Sequence, residues 1–238
     1  EFGDRYLRFP FYYGMDEYSN DLRLASKKHQ NVTDKMYDRE FCSFVYSNSD
    51  ADSMRLCLFD ALSKYKKVDA GGVLRNNLPH GPVQDKRLFE RQYKFSIACE
   101  NSSHYGYVTE KILQSFAAQT IPIYYGDPSI ESDFNPKAFI NCHDYNSLDE
   151  VIQVIGAIDQ DKNKYLEMLR QPAFKRDEDM IEYQDQLQQF IENIFLQEYT
   201  KAFRRNRVFW GKKIDEKYKK IYKVELKIQK LRHFLKRR

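Results

Sequence analysis

The sequence predicts an α/β fold, a Rossmann-like parallel sheet followed by helices, and three observations carry that prediction. Short runs rich in aromatic and β-branched residues alternate with amphipathic stretches of about 10–15 residues. The strand-like runs end in polar loops. Hydrophobic residues make up 42% of the 238 positions, with only 9 Gly and 7 Pro, which is the composition of a chain that folds around a core. Strands alternating with helices imply right-handed crossovers and parallel pairing.

Taken in order, Phe41 to Ser47 reads as a strand, Asp50 to Lys64 as a helix and Tyr93 to Cys99 as a second strand. Thr109 to Ala118 is helical, Ile121 to Tyr125 and Phe139 to Cys142 are strands, and Leu148 to Ile158 is another helix. After Pro172, Ile181, Leu187, Phe190, Ile191 and Ile194 supply one apolar face to a long helix from Met180 to Gln197. The expected division is an amino-terminal remnant and linker over 1–35 with no core of its own, an α/β domain over 36–172, a helix over 173–200 and a tail over 201–238. Polar Ser26-Lys27-Lys28-His29-Gln30-Asn31 reads as a loop.

No apolar run approaches the ~20 residues that span a bilayer. Glu1-Phe2-Gly3-Asp4 has neither the basic start nor the apolar core of a signal peptide, and the chain reads as the downstream part of something longer. Cys42, Cys57, Cys99 and Cys142 form no CxxC pair and sit among apolar neighbours, so buried free thiols and a reducing compartment are expected. His29, His80, His104, His143 and His233 have no ligand spacing, and no metal or other cofactor is predicted.

Charge is divided unevenly. From residue 201 onward there are 16 Lys/Arg and 3 Asp/Glu, against 23 and 32 before it. Within the tail Ile214, Tyr218, Ile221, Val224, Ile228, Leu231 and Leu235 recur every three or four residues, so they share one stripe of a helix ringed by lysines. Such a helix suits peripheral contact with an anionic membrane. A core-packed or coiled-coil helix with a solvated lysine face fits the same pattern. No nucleic-acid motif accompanies the charge, so no nucleic acid is expected as a partner.

Ligands of open α/β sheets bind outside the carboxyl ends of the strands. The strand ending at Cys99 runs into Glu100-Asn101-Ser102-Ser103-His104-Tyr105-Gly106-Tyr107-Val108-Thr109-Glu110-Lys111. There Thr109 is placed to cap the next helix, whose amino end attracts an anion, Lys111 adds a full charge for a phosphate, and Glu110 can accept from sugar hydroxyls. A second strand end, Ser47-Asn48, precedes Arg55, whose guanidinium can fork onto a pyrophosphate. The Gly71-Gly72 turn brings Arg75 as a further candidate. Together these suggest a nucleoside-diphosphate cradle, although a cap with a solvated lysine and a surface arginine are the plainer readings of Lys111 and Arg75.

Four stretches in order, Tyr93 to Ser102, Gly106 to Leu113, Ile121 to Pro128 and Asp133 to Ile140, resemble the α1,3/4-fucosyltransferase family, bacterial members included. The resemblance covers roughly residues 1–170. It implies the carboxyl-terminal, donor-binding half of a GT-B fold and an inverting transfer of fucose from GDP-fucose to an N-acetylglucosamine-containing glycan acceptor. It further implies donor contacts at Arg55, Asn101, Tyr107, Val108, Thr109, Glu110 and Lys111, the valine and threonine through backbone groups. It leaves the catalytic residues without a match: the family's general base is a glutamate in a Gly-Glu-Asn-like stretch, expected upstream of residue 1. The bacterial cytoplasm, at the inner face of the membrane, is the location that follows from this resemblance and the tail. Another GT-B transferase with a different nucleotide sugar, and a docking module working through the basic tail, are the alternatives.

Overall fold

The computed structural model describes residues 6–175, 179–197, 214, 216–225 and 228. Residues up to 187 form one compact unit and those from 188 onward a second. The first unit is built on a five-stranded, wholly parallel sheet in the order β2-β1-β3-β4-β5. Its strands are β1 (Glu40–Phe44), β2 (Val68–Ala70), β3 (Tyr93–Cys99), β4 (Ile121–Tyr125) and β5 (Ile140–Asn141). The helices are α1 (Ser19–Ser26), α2 (Met54–Tyr65), α3 (Lys86–Glu90), α4 (Glu110–Ala117), α5 (Leu148–Asp159), α6 (Lys162–Leu169) and α7 (Asp179–Leu196). β3 and β4 fall where the sequence pattern puts them. β1 stops short of Ser47, and the three-residue β2, with α1, α3 and α6, is too brief to leave a periodic signature.

Every β3 residue is buried, as a central parallel strand requires. The period-2 alternation sends Phe95, Ile97 and Cys99 into one core with Phe41, Phe44, Leu58, Leu62, Ile123 and Ile155, and sends Ala98 to the other. That second core joins Ile112, Leu113 and Phe116 of α4 to Tyr124, Phe134 and Phe139. Tyr12, Leu22 and Ala25 complete it. The amino-terminal segment supplies one wall of this shared core. Of the cysteines, Cys42, Cys99 and Cys142 are buried; Cys57 is exposed, a correction to the expectation, because α2 turns it away from the sheet.

The loop after α1 contains a fully buried ammonium. Lys28 donates to the Leu169 carbonyl at 3.1 Å, capping the carboxyl end of α6, and lies 5.2 Å from the Phe116 ring centroid. Its own carbonyl accepts from the Gln119 amide. The polar run is a turn, as its composition predicts, but charge density in sequence does not reveal which side chain the packing buries.

In the second unit, Ile191, Ile194, Phe195 and Leu196 of α7 are exposed. The tail is helical at 214, 216–225 and 228, with Ile214, Tyr218, Ile221, Val224 and Ile228 exposed. Leu231 and Leu235 of the predicted stripe lie outside the described residues. Among the described residues no helix is long and apolar enough to cross a membrane.

Burial lowers the Lys28 pKa to about 7 from 10.5. The unfolded chain then binds more protons than the folded one between these values, so Lys28 costs stability in full below pH ~7 and progressively less as pH rises toward ~10.5. Lys28→Met should raise the unfolding free energy by about 2–4 kcal/mol at pH 6, with the gain shrinking toward zero by pH ~10. Urea denaturation across that range measures it, and a gain independent of pH would contradict the assignment.

Candidate functional site

Chain order from β1 leads outward to β2 on one side, while β3 follows on the other, so the topological switch point lies between the carboxyl ends of β1 and β3. Helices from the two faces of the sheet meet there. α2 brings Arg55 and α4 brings Glu110 and Lys111.

Arg55 is 1% exposed. Its guanidinium donates to the Asn48 carbonyl at 3.1 Å, to the Cys99 carbonyl at 3.3 Å and to Asn101 Oδ1 at 2.7 Å, and lies 4.0 Å over the Tyr46 ring. It thus bridges the tips of β1 and β3. The fork expected to face a pyrophosphate is held by the protein's own oxygens, and a ligand reaches its terminal nitrogens only by displacing them. Its Nε–H has no hydrogen-bond partner among the described residues. Close approach of the Gly71-Gly72 turn completes this corner: a Cβ on Gly72 would overlap the Tyr46 backbone.

Across the tip of β3 stands the organising group of the site, Glu100, which is fully buried. Oε1 accepts from the Thr109 N–H at 2.7 Å and Oε2 from the Thr109 hydroxyl at 2.5 Å, while Lys111 Nζ lies 3.1 Å from Oε2. Lys111 Nζ also donates to Thr109 Oγ1 at 2.9 Å and to Glu110 Oε1 at 3.3 Å. Thr109 occupies the N-cap position of α4, but its side chain makes no capping bond, a correction to the sequence reading. A buried carboxylate is the stronger acceptor, and the hydroxyl donates to it. Room for the Glu100 stem comes from Gly126, where a Cβ would fall 2.5 Å from Glu100 Cγ.

Burial pushes the Glu110 carboxyl up, but Lys111, its own backbone N–H, Lys86 and Thr109 outweigh it and hold the group below the usual glutamate value. Glu110 is therefore an anionic acceptor at neutral pH, suited to hydroxyl donors.

The loop between these anchors is tied at both ends. The Asp52 N–H donates to the Asn101 carbonyl at 2.8 Å, and Ser103 Oγ donates to the Gly126 carbonyl at 2.7 Å. His143 Nε2 lies 3.1 Å from the same carbonyl, its ring stacked on Tyr125. Gly106 adopts φ +78°, and the Tyr107 N–H donates to the His104 carbonyl. Val108 points into the second core, which leaves its backbone to face the loop's outer side.

The structure thus gathers Asn48, Arg55, Asn101, Tyr107, Val108, Thr109, Glu110 and Lys111 around one strand end. Ser47 is exposed on the same exit from β1. Arg75 is not gathered with them; it pairs with Asp60 at 3.4 Å on the outer side of α2, as the plainer reading held. Sequence reasoning passed over Glu100, whose signal was a lone acid directly after seven buried strand residues. Asp52 and His143 left no signal, because their roles depend on contacts between distant segments. Among the described residues no group of three or more His, Cys, Asp or Glu is placed to hold a metal. A hollow of about 290 Å³ lies at the opposite end of the sheet, beside Lys27, Arg87 and Arg91. These cations stand at the carboxyl ends of α1 and α3, where they offset the helix dipoles.

A wholly parallel sheet with Glu110, Lys111 and the start of α4 at its switch point defines a Rossmann-like domain. Comparison with known proteins narrows that class. Residues 35–208 match the model described as glycosyltransferase family 10 (fucosyltransferase) C-term, and the chain belongs to this family. It is 40% identical over 197 residues to the alpha-(1,3)-fucosyltransferase FucT of Helicobacter pylori, covering 71% of this chain and 41% of that protein. It is 35% identical over 131 residues to the 3-galactosyl-N-acetylglucosaminide 4-alpha-L-fucosyltransferase FUT3 of Bos taurus, covering 54% of this chain and 35% of that protein. The chain spans about two fifths or less of these relatives' lengths. A crystal structure of an alpha1,3-fucosyltransferase with GDP-fucose superposes with a TM-score of 0.68 at 33% identity, over 81% of this chain and 68% of that one. The same enzyme class with GDP gives 0.67 at 32% identity, over 81% of this chain and 67% of that one.

Removing Glu100 would leave Thr109 and Lys111 without their buried partner. Glu100→Ala should cost about 3–5 kcal/mol of unfolding free energy, and Glu100→Gln, which keeps an acceptor, about half of that. An undiminished Glu100→Gln protein, by urea denaturation, would show that the charge is immaterial.

Proposed function

We propose that this chain is the donor-binding half of an inverting α1,3/4-fucosyltransferase, which takes fucose from GDP-fucose to an N-acetylglucosamine-containing glycan. The observation that supports it most is the convergence, at one switch point, of Lys111, the amino end of α4 and the anionic Glu110. On this reading the diphosphate lies against the α4 amides and exchanges places with the carboxylates around Lys111, while Glu110 accepts from sugar hydroxyls. As the glycosidic bond breaks, negative charge grows on the departing GDP. A fixed ammonium and helix end stabilise that charge more than they stabilise the ground state. We take this to proceed on side-chain cations without a resident metal. No residue of this chain is assigned as the base that receives the acceptor proton.

Calorimetry with GDP, GDP-fucose, UDP-sugars and ADP-sugars tests the reading. GDP and GDP-fucose should bind at least tenfold more tightly than the others, and Lys111→Ala should weaken GDP at least tenfold with guanosine little changed. Preference for another nucleotide, or equal loss of GDP and guanosine, would reject the assignment.

We further propose peripheral attachment to the cytoplasmic face of a bacterial membrane through residues 201–238. The support is the helix at 216–225, where Tyr218, Ile221 and Val224 are exposed among Lys217, Lys219, Lys220 and Lys223. Sedimentation with anionic and neutral vesicles, with and without residues 201–238, should show binding that needs both the tail and the anionic lipid. Retention of the shortened chain on vesicles would overturn it.

A further inference from the structure

The amino-terminal segment does more than close the second core. Arg8 donates through Nη1 to Asp133 Oδ1 at 2.6 Å and through Nη2 to Asp133 Oδ2 at 2.5 Å, and its Nη2 lies 3.7 Å from Asp127 Oδ2. Both carboxylates are buried, and they follow directly on β4. Asp127 Oδ1 accepts from the Ser129 N–H and hydroxyl, while Oδ2 has no hydrogen-bond partner among the described residues. Asp133 Oδ1 also accepts from the hydroxyls of Ser132 and Tyr183. Two buried carboxylates therefore share one guanidinium, and among the described residues neither has another ion-pair partner.

On its other side Arg8 lies near the site loop. A Cβ on Gly106 would lie 3.9 Å from Arg8 Nε, and Gly106 is the left-handed residue of the loop running from Asn101 to Thr109. That loop is bonded at its two ends, to Arg55 and Asp52 at Asn101 and to Glu100 at Thr109. At Gly106 it rests beside Arg8.

We propose that Arg8 is a positioning residue for the phosphate-binding loop: it holds the Asp127–Asp133 pair together and supports the Gly106 turn, so that Tyr107 and the amino end of α4 are presented in their binding geometry. This rests on the reading of residues 101–111 as the donor site. It gives a segment that the sequence pattern marks as a remnant a direct part in donor affinity.

Three measurements on the full chain test it, with GDP as the probe. Arg8→Met should weaken GDP at least tenfold at pH 8, and the loss should shrink toward pH 5.5 as a proton replaces the missing positive charge between the carboxylates. The titratable groups facing that pair are Tyr12, Tyr124 and Tyr183 with Glu100 behind them; burial raises Tyr12 and Tyr124, which keep their phenolic protons across this range. Arg8→Met with Asp133→Asn, which removes one carboxylate with the guanidinium, should recover at least half of the lost affinity on a logarithmic scale at pH 8. Amide hydrogen exchange at residues 102–109 should accelerate in Arg8→Met and return toward the parent rate in the double variant. If Arg8→Met does not fold, the double variant and Arg8→Lys carry the comparison, the lysine giving an intermediate loss because one ammonium cannot replace the bidentate fork. A folded Arg8→Met protein with parental GDP affinity, or with a loss independent of pH that the double variant does not repair, would overturn the proposal. Should the parent chain not bind GDP, the donor reading fails; unchanged exchange at 102–109 would then separately remove the role of Arg8.

Discussion

The buried carboxylate of Glu100 is the constraint on which the rest of the site depends. A charge at the end of a fully buried strand persists only where donors surround it. Thr109 supplies two and Lys111 a third, and all three come from the start of α4. The pairing fixes how β3 passes into α4, and with it where the helix amino end points. Thr109 serves Glu100 and not the helix, so its side chain caps none of the α4 amides.

Arg55 plays the matching part on the opposite face. It reaches the same strand end from α2 and fastens Asn48 of the β1 exit to Asn101 of the β3 exit. A buried guanidinium held by neutral oxygens specifies geometry through its directed donors. The switch point of the sheet is therefore held on one face by the Glu100–Lys111 ion pair and on the other by the Arg55 hydrogen bonds. Between them runs a loop whose middle is supported from a third direction by the Arg8 clamp.

Much of the fold could be read directly from the order of residues. β3 and β4 coincide with their apolar runs, and α5 with its periodic stretch, since burial on both faces leaves an unbroken signal. β2 and α3 escaped because three to five residues cannot display a period. The segment before residue 35 was underestimated for another reason: Tyr12, Leu22 and Ala25 are too scattered to look like a core until α4 is laid against them. Lys28 shows the converse, a residue type that reads as solvent-facing and is buried whole.

What the sequence determined by itself was the chemistry available at the strand ends, because residue types and their order along one loop are local facts. Asn101, Tyr107, Thr109, Glu110 and Lys111 lie within a dozen positions of each other, and a strand followed by a helix was enough to place them at a carboxyl edge. Only the tertiary structure decided which of these groups face one another. Glu100 takes Thr109 away from the helix, Arg55 spends its terminal nitrogens on two strand tips, Arg75 goes to Asp60, and Arg8 reaches Asp133 across 125 positions of chain. Pairings of that kind are chosen by desolvation, which depends on the whole packed domain and leaves no mark on local pattern.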